Sequence, residues 1–445
     1  MFYIDKTRRE RVPFPRCFKL KKRGNRMKKT MLAGCLLWAA CAQGSEEGFV
    51  PLFDGKTLNG WVRHGGESTY AVEDGSIAGR FKDAKRNTFL CSEKTYGDFI
   101  LRVEFKLEAG NSGVQFRSAL RANPDKTETV FGYQSEIAGE PDRVARIYDE
   151  GRRGFKFGRI WLDNTATGTL VTSSSAYKKG DWNKMEIQCV GPSIRTWLND
   201  VPVVNLFDGE SLSGFIGLQV HATKNPDGNV CARWRNIRIK ELGTSRWTPF
   251  FAKGADGKFA LKDARFVLPD NWSFNEAEGY LVGKHKSDEK RDGLVVSDKA
   301  YGDFIVRVSY QLFGGNSALY FRAEEVNTPW LLKGFQNEIA GNEKDSALWH
   351  TAGDKTKGRG WVARDDEFIA KVRNPKGWNT TCTAVCGDRI VEILNGQRTV
   401  DLVDPLCEKS GKVGLQLHGG ANVEMWFKDF EILVVTPEMK ALIDR

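Results

Sequence analysis

The sequence predicts an all-β chain built from two tandem two-sheet sandwiches of the jelly-roll type. Three observations predict it. The chain has 445 residues, too many for one ordinary core. Its apolar residues recur with period two over short stretches separated by turn residues. And a series of motifs in the first half returns, in the same order, in the second.

Residues 1–42 read as a basic leader followed by a secretory signal. Met27-Lys28-Lys29-Thr30 precedes an apolar run from Met31 to Ala42, and Ala40-Cys41-Ala42 is a small-x-small cleavage site ahead of Gln43. The run is too short to span a bilayer. Leu32-Ala33-Gly34-Cys35 and Ala39-Ala40-Cys41 leave a lipid anchor open as the alternative to a freely exported protein, periplasmic or extracellular. The leader also explains the formal charge of +10. Twelve of the 67 Lys/Arg and two of the 57 Asp/Glu precede Gln43, which leaves 55 of each beyond it. A neutral body lacks the basic excess that a nucleic-acid face requires.

The repeat defines the rest. Tyr96-Gly97-Asp98-Phe99 returns as Tyr301-Gly302-Asp303-Phe304, and Gly132-Tyr133-Gln134-Ser135-Glu136-Ile137 as Gly334-Phe335-Gln336-Asn337-Glu338-Ile339. Trp182-Asn183 returns as Trp378-Asn379, and Gly217-Leu218-Gln219-Val220-His221 as Gly414-Leu415-Gln416-Leu417-His418. A duplication at an offset of about 200 residues is a doubled domain, not a short-period solenoid. The boundaries expected are 43–242 and 247–435, with Gly243-Thr244-Ser245 as the joint and a tail at 436–445 that forms a short helix from Pro437. Within each copy the strands are antiparallel with one face inward: Phe99, Leu101, Val103, Phe105 and Leu107 alternate with Ile100, Arg102, Glu104 and Lys106. The six cysteines beyond the signal are too sparse for a disulfide scaffold. Cys382 and Cys386, four apart on one strand, would be roughly 13 Å apart, beyond disulfide reach. No Cys/His spacing resembles a zinc site.

Strand phase also nominates a polar face. Gly113-Val114-Gln115-Phe116-Arg117 puts Gln115 and Arg117 opposite Val114 and Phe116. The same reasoning adds Gln134, Glu136, Gln219 and His221, and in the second copy Tyr320, Arg322, Gln336, Glu338, Gln416 and His418. Amides and carboxylates suit sugar hydroxyls, Glu and His can move protons, and Arg117 could stabilise an oxyanion. A solvated face with cross-strand Arg–Glu pairs is the plainer alternative. After the Glu strand the copies diverge. Arg146-Ile147-Tyr148-Asp149-Glu150-Gly151-Arg152-Arg153 faces Ala347-Leu348-Trp349-His350-Thr351-Ala352-Gly353, so the first copy is the better catalytic candidate, with Glu150 or Asp149 as partner to Glu136.

These stretches, with Leu52-Phe53-Asp54-Gly55-Lys56-Thr57-Leu58-Asn59-Gly60-Trp61 and Arg235-Asn236-Ile237, resemble the 3-keto-disaccharide hydrolase domain family, formerly a domain of unknown function. The resemblance spans nearly all of the first copy and is weaker in the second, which lacks the Asp-Glu-x-Arg-Arg run. It implies a concanavalin-like jelly roll and an exported bacterial enzyme that cleaves 3-keto-glycosides by elimination and then hydration. On that reading Glu136 or His221 is the base, Arg117 steadies the ketone or enolate, and Glu150 is the acid. Gln115, Gln134, Tyr148, Asp149, Arg152 and Gln219 would hold the oligosaccharide or glycoside, and Arg322, Gln336, Glu338 and His418 are the second-copy equivalents. No cofactor is demanded, and a divalent metal held by Glu and His is an open substitute for the arginine. The rival reading is a tandem lectin-like protein that binds glycans without cutting them.

Overall fold

The computed structural model describes residues 48–81, 86–152, 175–222, 229–351 and 359–444. The stretch expected to be a leader and secretory signal, with both candidate lipidation cysteines, lies outside these residues, as does Arg153. Among the described residues no helix is long and apolar enough to cross a membrane.

Alternating side chains need two partners, a core on one face and something polar on the other, and two stacked antiparallel sheets supply the first. In the first sandwich one sheet runs, in spatial order, Val201–Phe207, Ser193–Leu198, Asn183–Val190, Asp98–Leu107, Val230–Gly243, Ser76–Arg80 and Thr69–Glu73, with the short strand Val50–Pro51 beside Val230–Gly243. The facing sheet runs Trp61–Gly65, Thr88–Tyr96, Gly214–Val220, Ser112–Ala122, Glu128–Ile137 and Ile147–Glu150. Phe99, Leu101, Val103 and Phe105 from one and Val114, Phe116, Tyr133 and Leu218 from the other fill the space between them. The second sandwich repeats the plan, with Trp272–Asn275, Tyr280–His285, Val423–Val434, Phe304–Gly314, Asn379–Cys386, Arg389–Leu394 and Gln397–Val403 against Ala264–Val267, Gly293–Ser297, Lys412–Leu417, Ser317–Glu325, Leu332–Ile339, Leu348–Thr351 and Gly360–Ala363. The chain is therefore an all-β pair of jelly-roll sandwiches. Among the described residues there are two short α-helices, Asp366–Val372 and Pro437–Ile443. The second is capped by Thr436, whose side chain accepts from the Met439 N–H. All six cysteines of the body are free, and five are buried as small apolar residues.

The sandwiches are joined by an apolar seam. Val190 and Phe207 of the first pack with Ile305, Val391 and Leu433 of the second, and Ile443 of the C-terminal helix joins them. Polar ties flank it: Gln188 Nε2 donates to Leu442 O at 2.8 Å, and Arg195 Nη1 to Ile443 O at 2.8 Å.

The second core holds a polar cluster that the first lacks. Register aligns Glu392 with Thr383 as it aligns Thr196 with Ile187 in the first copy. Glu392 is fully buried. One of its oxygens accepts from Thr383 Oγ1 at 2.6 Å and from Asn337 Nδ2, and the other has no partner. Burial pushes this carboxyl well above the usual range, against the two hydrogen bonds. A raised folded pKa means that its contribution is intact below the ordinary carboxylate value of about 4.3 and is lost as pH rises toward the folded value. We expect Glu392→Gln to match the wild type in denaturant melts near pH 4.5. Above that its advantage should widen by up to about 1.4 kcal/mol per pH unit. An equal loss of stability at pH 4.5 and pH 7 would mean that the carboxyl is ionised in the fold.

Candidate active site

Register collects the polar residues into rows. Gly217, Gln115, Gln134 and Tyr148 are cross-strand partners over four neighbouring strands, and Gln219, Gly113 and Glu136 form the next row. Partners across a sheet point the same way, so these side chains share the face that turns away from the core. That face is not solvated. Gln115, Gln134, Glu136 and Gln219 are all buried. The reason is curvature. His64, paired with Phe89 on the site side of the edge strand, meets Glu128 at 2.8 Å, although four strand spacings, about 19 Å in a flat sheet, separate their strands. The sheet curls over its polar face and makes a trough of it.

Inside the trough the amides form a directed chain. Ser118 Oγ donates to Gln115 Oε1 at 2.6 Å, Gln115 Nε2 to Gln134 Oε1 at 2.9 Å, and Gln134 Nε2 to Glu136 Oε2 at 2.8 Å. Asn111 Nδ2 completes the set on Glu136 Oε1 at 2.6 Å. Every donor points toward Glu136, which is where such a chain must end because a carboxylate only accepts. Gly113 makes room for it, since a Cβ there would sit 2.4 Å from Gln134 Cδ. Glu150 approaches from the far edge. Asn87 Nδ2 donates to its Oε1 at 3.1 Å and Gln219 Nε2 to its Oε2 at 3.5 Å, while Asn87 Oδ1 accepts from the Ala222 N–H at 2.8 Å.

Burial raises both carboxyls. For Glu136, desolvation outweighs the hydrogen bonds from Asn111 and Gln134 and the charges of His221 and Arg143. For Glu150, desolvation is joined by the nearby charge of Glu136 and opposed by Asn87 and His221. Tyr148 is pushed up to about 12, by burial first and then by Glu150 and Glu136, so near neutral pH it is a donor. His221 lies just beyond the strand end and is exposed. Its Nδ1 is 2.8 Å from Ala222 O, so Nδ1 carries a proton and donates to that carbonyl. Glu150 feels the charge of Glu136, and two carboxyls in unlike surroundings can take different roles, one as acid and one as base.

Four expected site residues stand elsewhere. Arg117 is buried with its guanidinium wholly inside: Nε donates to Gly97 O at 2.9 Å, Nη1 to Gly191 O at 2.6 Å and Nη2 to Asp98 Oδ1 at 2.7 Å. Alternation fails there because the register shifts between Phe116 and Ala119 and Arg117 takes the left-handed φ of 45°. It cannot reach a ketone in the trough. Asp149, between Tyr148 and Glu150, faces the core and pairs with Arg152 at 2.7 Å, whose guanidinium lies 4.4 Å over the Tyr133 ring. Arg152 also donates to Ser211 Oγ at 2.6 Å. Both are clamps. Arg322 repeats the Arg117 arrangement with Gly302 O, Gly387 O and Asp303, at φ 44°. Gln336 and Glu338 are buried on the second trough, where Asn316 Nδ2 donates to Glu338 at 2.5 Å, and His418 is exposed with Nδ1 on Gly419 O.

Sequence reasoning missed Asn87 and Asn111. Asn111 carries a signal, since Asn111-Ser112 returns as Asn316-Ser317. Asn87 carries a fainter one, since Arg86-Asn87 corresponds to Arg291-Asp292 ahead of the repeated Tyr-Gly-Asp-Phe motif, with the amide exchanged for a carboxyl. Among the described residues no three His, Cys, Asp or Glu side chains are gathered so as to hold a metal ion.

Comparison with known proteins bears on both copies. The model of the family described as 3-keto-alpha-glucoside-1,2-lyase-like domain matches residues 48–240 and again 247–433. A 3-keto-disaccharide hydrolase of Bacteroides thetaiotaomicron is 24% identical over an alignment that covers 44% of this chain and 79% of that protein. Among solved structures, a putative glycosyl hydrolase from Parabacteroides distasonis is 21% identical, with a TM-score of 0.31, over 44% of this chain and 95% of its own. A carbohydrate-binding module from Bacillus subtilis is 17% identical, with a TM-score of 0.28, over 41% and 96%.

Because Arg117 balances a buried carboxylate, Arg117→Ala should cost about 3–5 kcal/mol in a denaturant titration. A loss below about 1 kcal/mol would show that Asp98 finds another partner.

Proposed function

Because the chain belongs to the 3-keto-alpha-glucoside-1,2-lyase-like domain family, we propose that its first sandwich cleaves a glycoside oxidised at C3, with Glu136 and Glu150 moving the protons. The observation that carries this reading is the pair of buried, upshifted carboxyls held on one trough by unequal sets of donors. Glu136 accepts at 2.6 and 2.8 Å, Glu150 at 3.1 and 3.5 Å. Stronger donation favours the ionised form, so Glu136 is the base and Glu150 the acid.

A ketone at C3 acidifies the proton on C2. Glu136 takes that proton, and the C2–H electron pair moves to form an enolate at the C3 oxygen. The enolate then collapses to a C1–C2 double bond as the C1–O bond breaks, and Glu150 gives its proton to the departing oxygen. Addition of water across the double bond completes a net hydrolysis. The developing enolate needs a donor. The Tyr148 phenol, protonated up to about pH 12, takes the part expected of Arg117. His221 at the exposed end of the trough passes protons to solvent.

A second reading is binding without cleavage, and one observation favours it: both oxygens of Glu136 are already engaged, and the guanidinium that would have met the ketone is inside the core. Tandem copies would then add avidity.

Glu136→Gln should lower turnover of a 3-keto-disaccharide by about 10²-fold or more while leaving affinity within a few-fold. The acidic limb of the wild-type kcat/KM profile should lie above the ordinary glutamate value of about 4.3, because the upshifted Glu136 must ionise first. Full turnover by the variant sinks the base assignment. A wild-type protein that binds the ketosugar without cleaving it leaves the binding reading standing.

A further inference from the structure

We propose that the second sandwich carries a saccharide-binding pocket of its own, in which Asp292 stands in for Glu150 and the Trp349–Trp361 pair offers a stacking surface. The proposal rests on reading the first trough as a saccharide site, and its test is separable from that reading.

Register makes the comparison residue by residue. The row Gly217, Gln115, Gln134, Tyr148 corresponds to Gly414, Tyr320, Gln336, Trp349, and the second row continues to Trp361 on the next strand. Gly132 faces Glu150 where Gly334 faces Thr351, so the carboxyl of the first copy is gone from that strand. It is replaced from the opposite wall. Asp292 Oδ1 accepts from the Gly419 N–H at 2.7 Å, as Asn87 Oδ1 accepts from Ala222, and Asp292 Oδ2 accepts from Gln416 Nε2 at 2.6 Å. The glutamine amide that reaches Glu150 in one copy reaches Asp292 in the other.

The exchange changes what the pocket can do. Tyr320, in the place of Gln115, is buried, and its hydroxyl is 3.5 Å from Gln416 Nε2. It stands in the field of Asp292 and Glu338, which together with burial keep it a phenol. Ala318 occupies the place of Gly113, where a Cβ in the first copy would strike the glutamine, so the amide chain onto the glutamate is not copied. Both Asp292 oxygens are committed to donors, and Thr351 offers no carboxyl at the acid's position. What remains is a set of acceptors and donors beside an aromatic wall: Trp349 and Trp361 meet edge to face at 4.9 Å and 82°, and Trp361 is 37% exposed. Alternating donors and acceptors fit vicinal hydroxyls, and an indole face fits the apolar C–H face of a pyranose. The carboxyls of Asp292 and Glu338 are matched by Arg364 and Lys344, 5.0 and 5.8 Å over the Trp361 ring, so the pocket has no net preference for an ion. The ligand class is a neutral saccharide, held and not cut.

The test uses the full chain carrying Glu136→Gln, so that turnover at the first trough does not consume the probes. Trehalose, sucrose and cellobiose, each unoxidised and oxidised at C3, are titrated by calorimetry and tryptophan fluorescence. We expect a binding event with a fluorescence change that Asp292→Asn and Trp349→Ala each weaken roughly tenfold, about 1.4 kcal/mol. Trp361→Ala, at an exposed position, does the same with an unchanged thermal melt and serves if either other variant fails to fold. Affinities and stoichiometry unchanged in these variants would overturn the proposal, and so would the absence of any saccharide binding. A wild-type chain that cleaves no ketosugar while the second-sandwich variants still lose affinity would sink the first reading and leave this one intact.

Discussion

A buried arginine–aspartate pair, made twice, organises the molecule. In each sandwich a strand breaks its alternation at one residue, Arg117 or Arg322, and turns the guanidinium inward onto an aspartate, a glycine carbonyl and a hairpin carbonyl. The hairpin glycine returns an N–H to the same aspartate oxygen, Gly191 to Asp98 and Gly387 to Asp303. In the first copy Ser245, in the joint, donates to the other oxygen of Asp98 at 2.6 Å. The strand that carries the trough, the hairpin of the opposite sheet and the joint between sandwiches thus meet on one ion pair. Such a pair is costly to desolvate and costlier still to break by halves, which is why its partners come as a set. Gly214 and Gly411 complete it, because a Cβ at either would lie 2.4 or 2.2 Å from the backbone of the bulge.

The bulge also serves the site. Between Phe116 and Ala119 it takes up one register shift, which bends the strand more than regular pairing would. The sheet that contains it curls until His64 meets Glu128. Curling buries the amides and carboxyls on its inner face, and burial raises the pKa of Glu136 and Glu150. The chemistry proposed for the trough therefore depends on a structural arginine that never touches it.

Duplication lets the two troughs be compared as variants of one another. Both keep a glutamate held by an asparagine, a glutamine beside it and a histidine at the mouth. They differ in where the second acid comes from and in whether the glutamine is free to reach the glutamate. Glycine or alanine at one position, Gly113 or Ala318, decides the latter by the space of a single methyl group. The second core also tolerates Glu392 where the first has Thr196, at the cost of holding a carboxyl neutral.

The alternation of apolar residues and the repeated motifs determined the all-β class, the duplication and the inward faces, because a strand's period of two is a local property that no distant contact can change. Gln115, Gln134, Glu136 and Gln219 fell on one face for that reason. Arg117 did not, because a bulge alters the local period, and nothing in Gly-Val-Gln-Phe-Arg announces one. The motif Tyr-Gly-Asp-Phe, read from sequence only as a mark of the duplication, proved to be the socket for the Arg117 guanidinium. Asp149 and Arg152 read as a charged, substrate-facing run, yet alternation sends Asp149 inward and Arg152 after it. What only the tertiary structure decided was which partners arrive from far along the chain. Asn87 to Glu150, Gln416 to Asp292 and the closure of the trough itself join segments whose separation in sequence carries no record of their nearness in space.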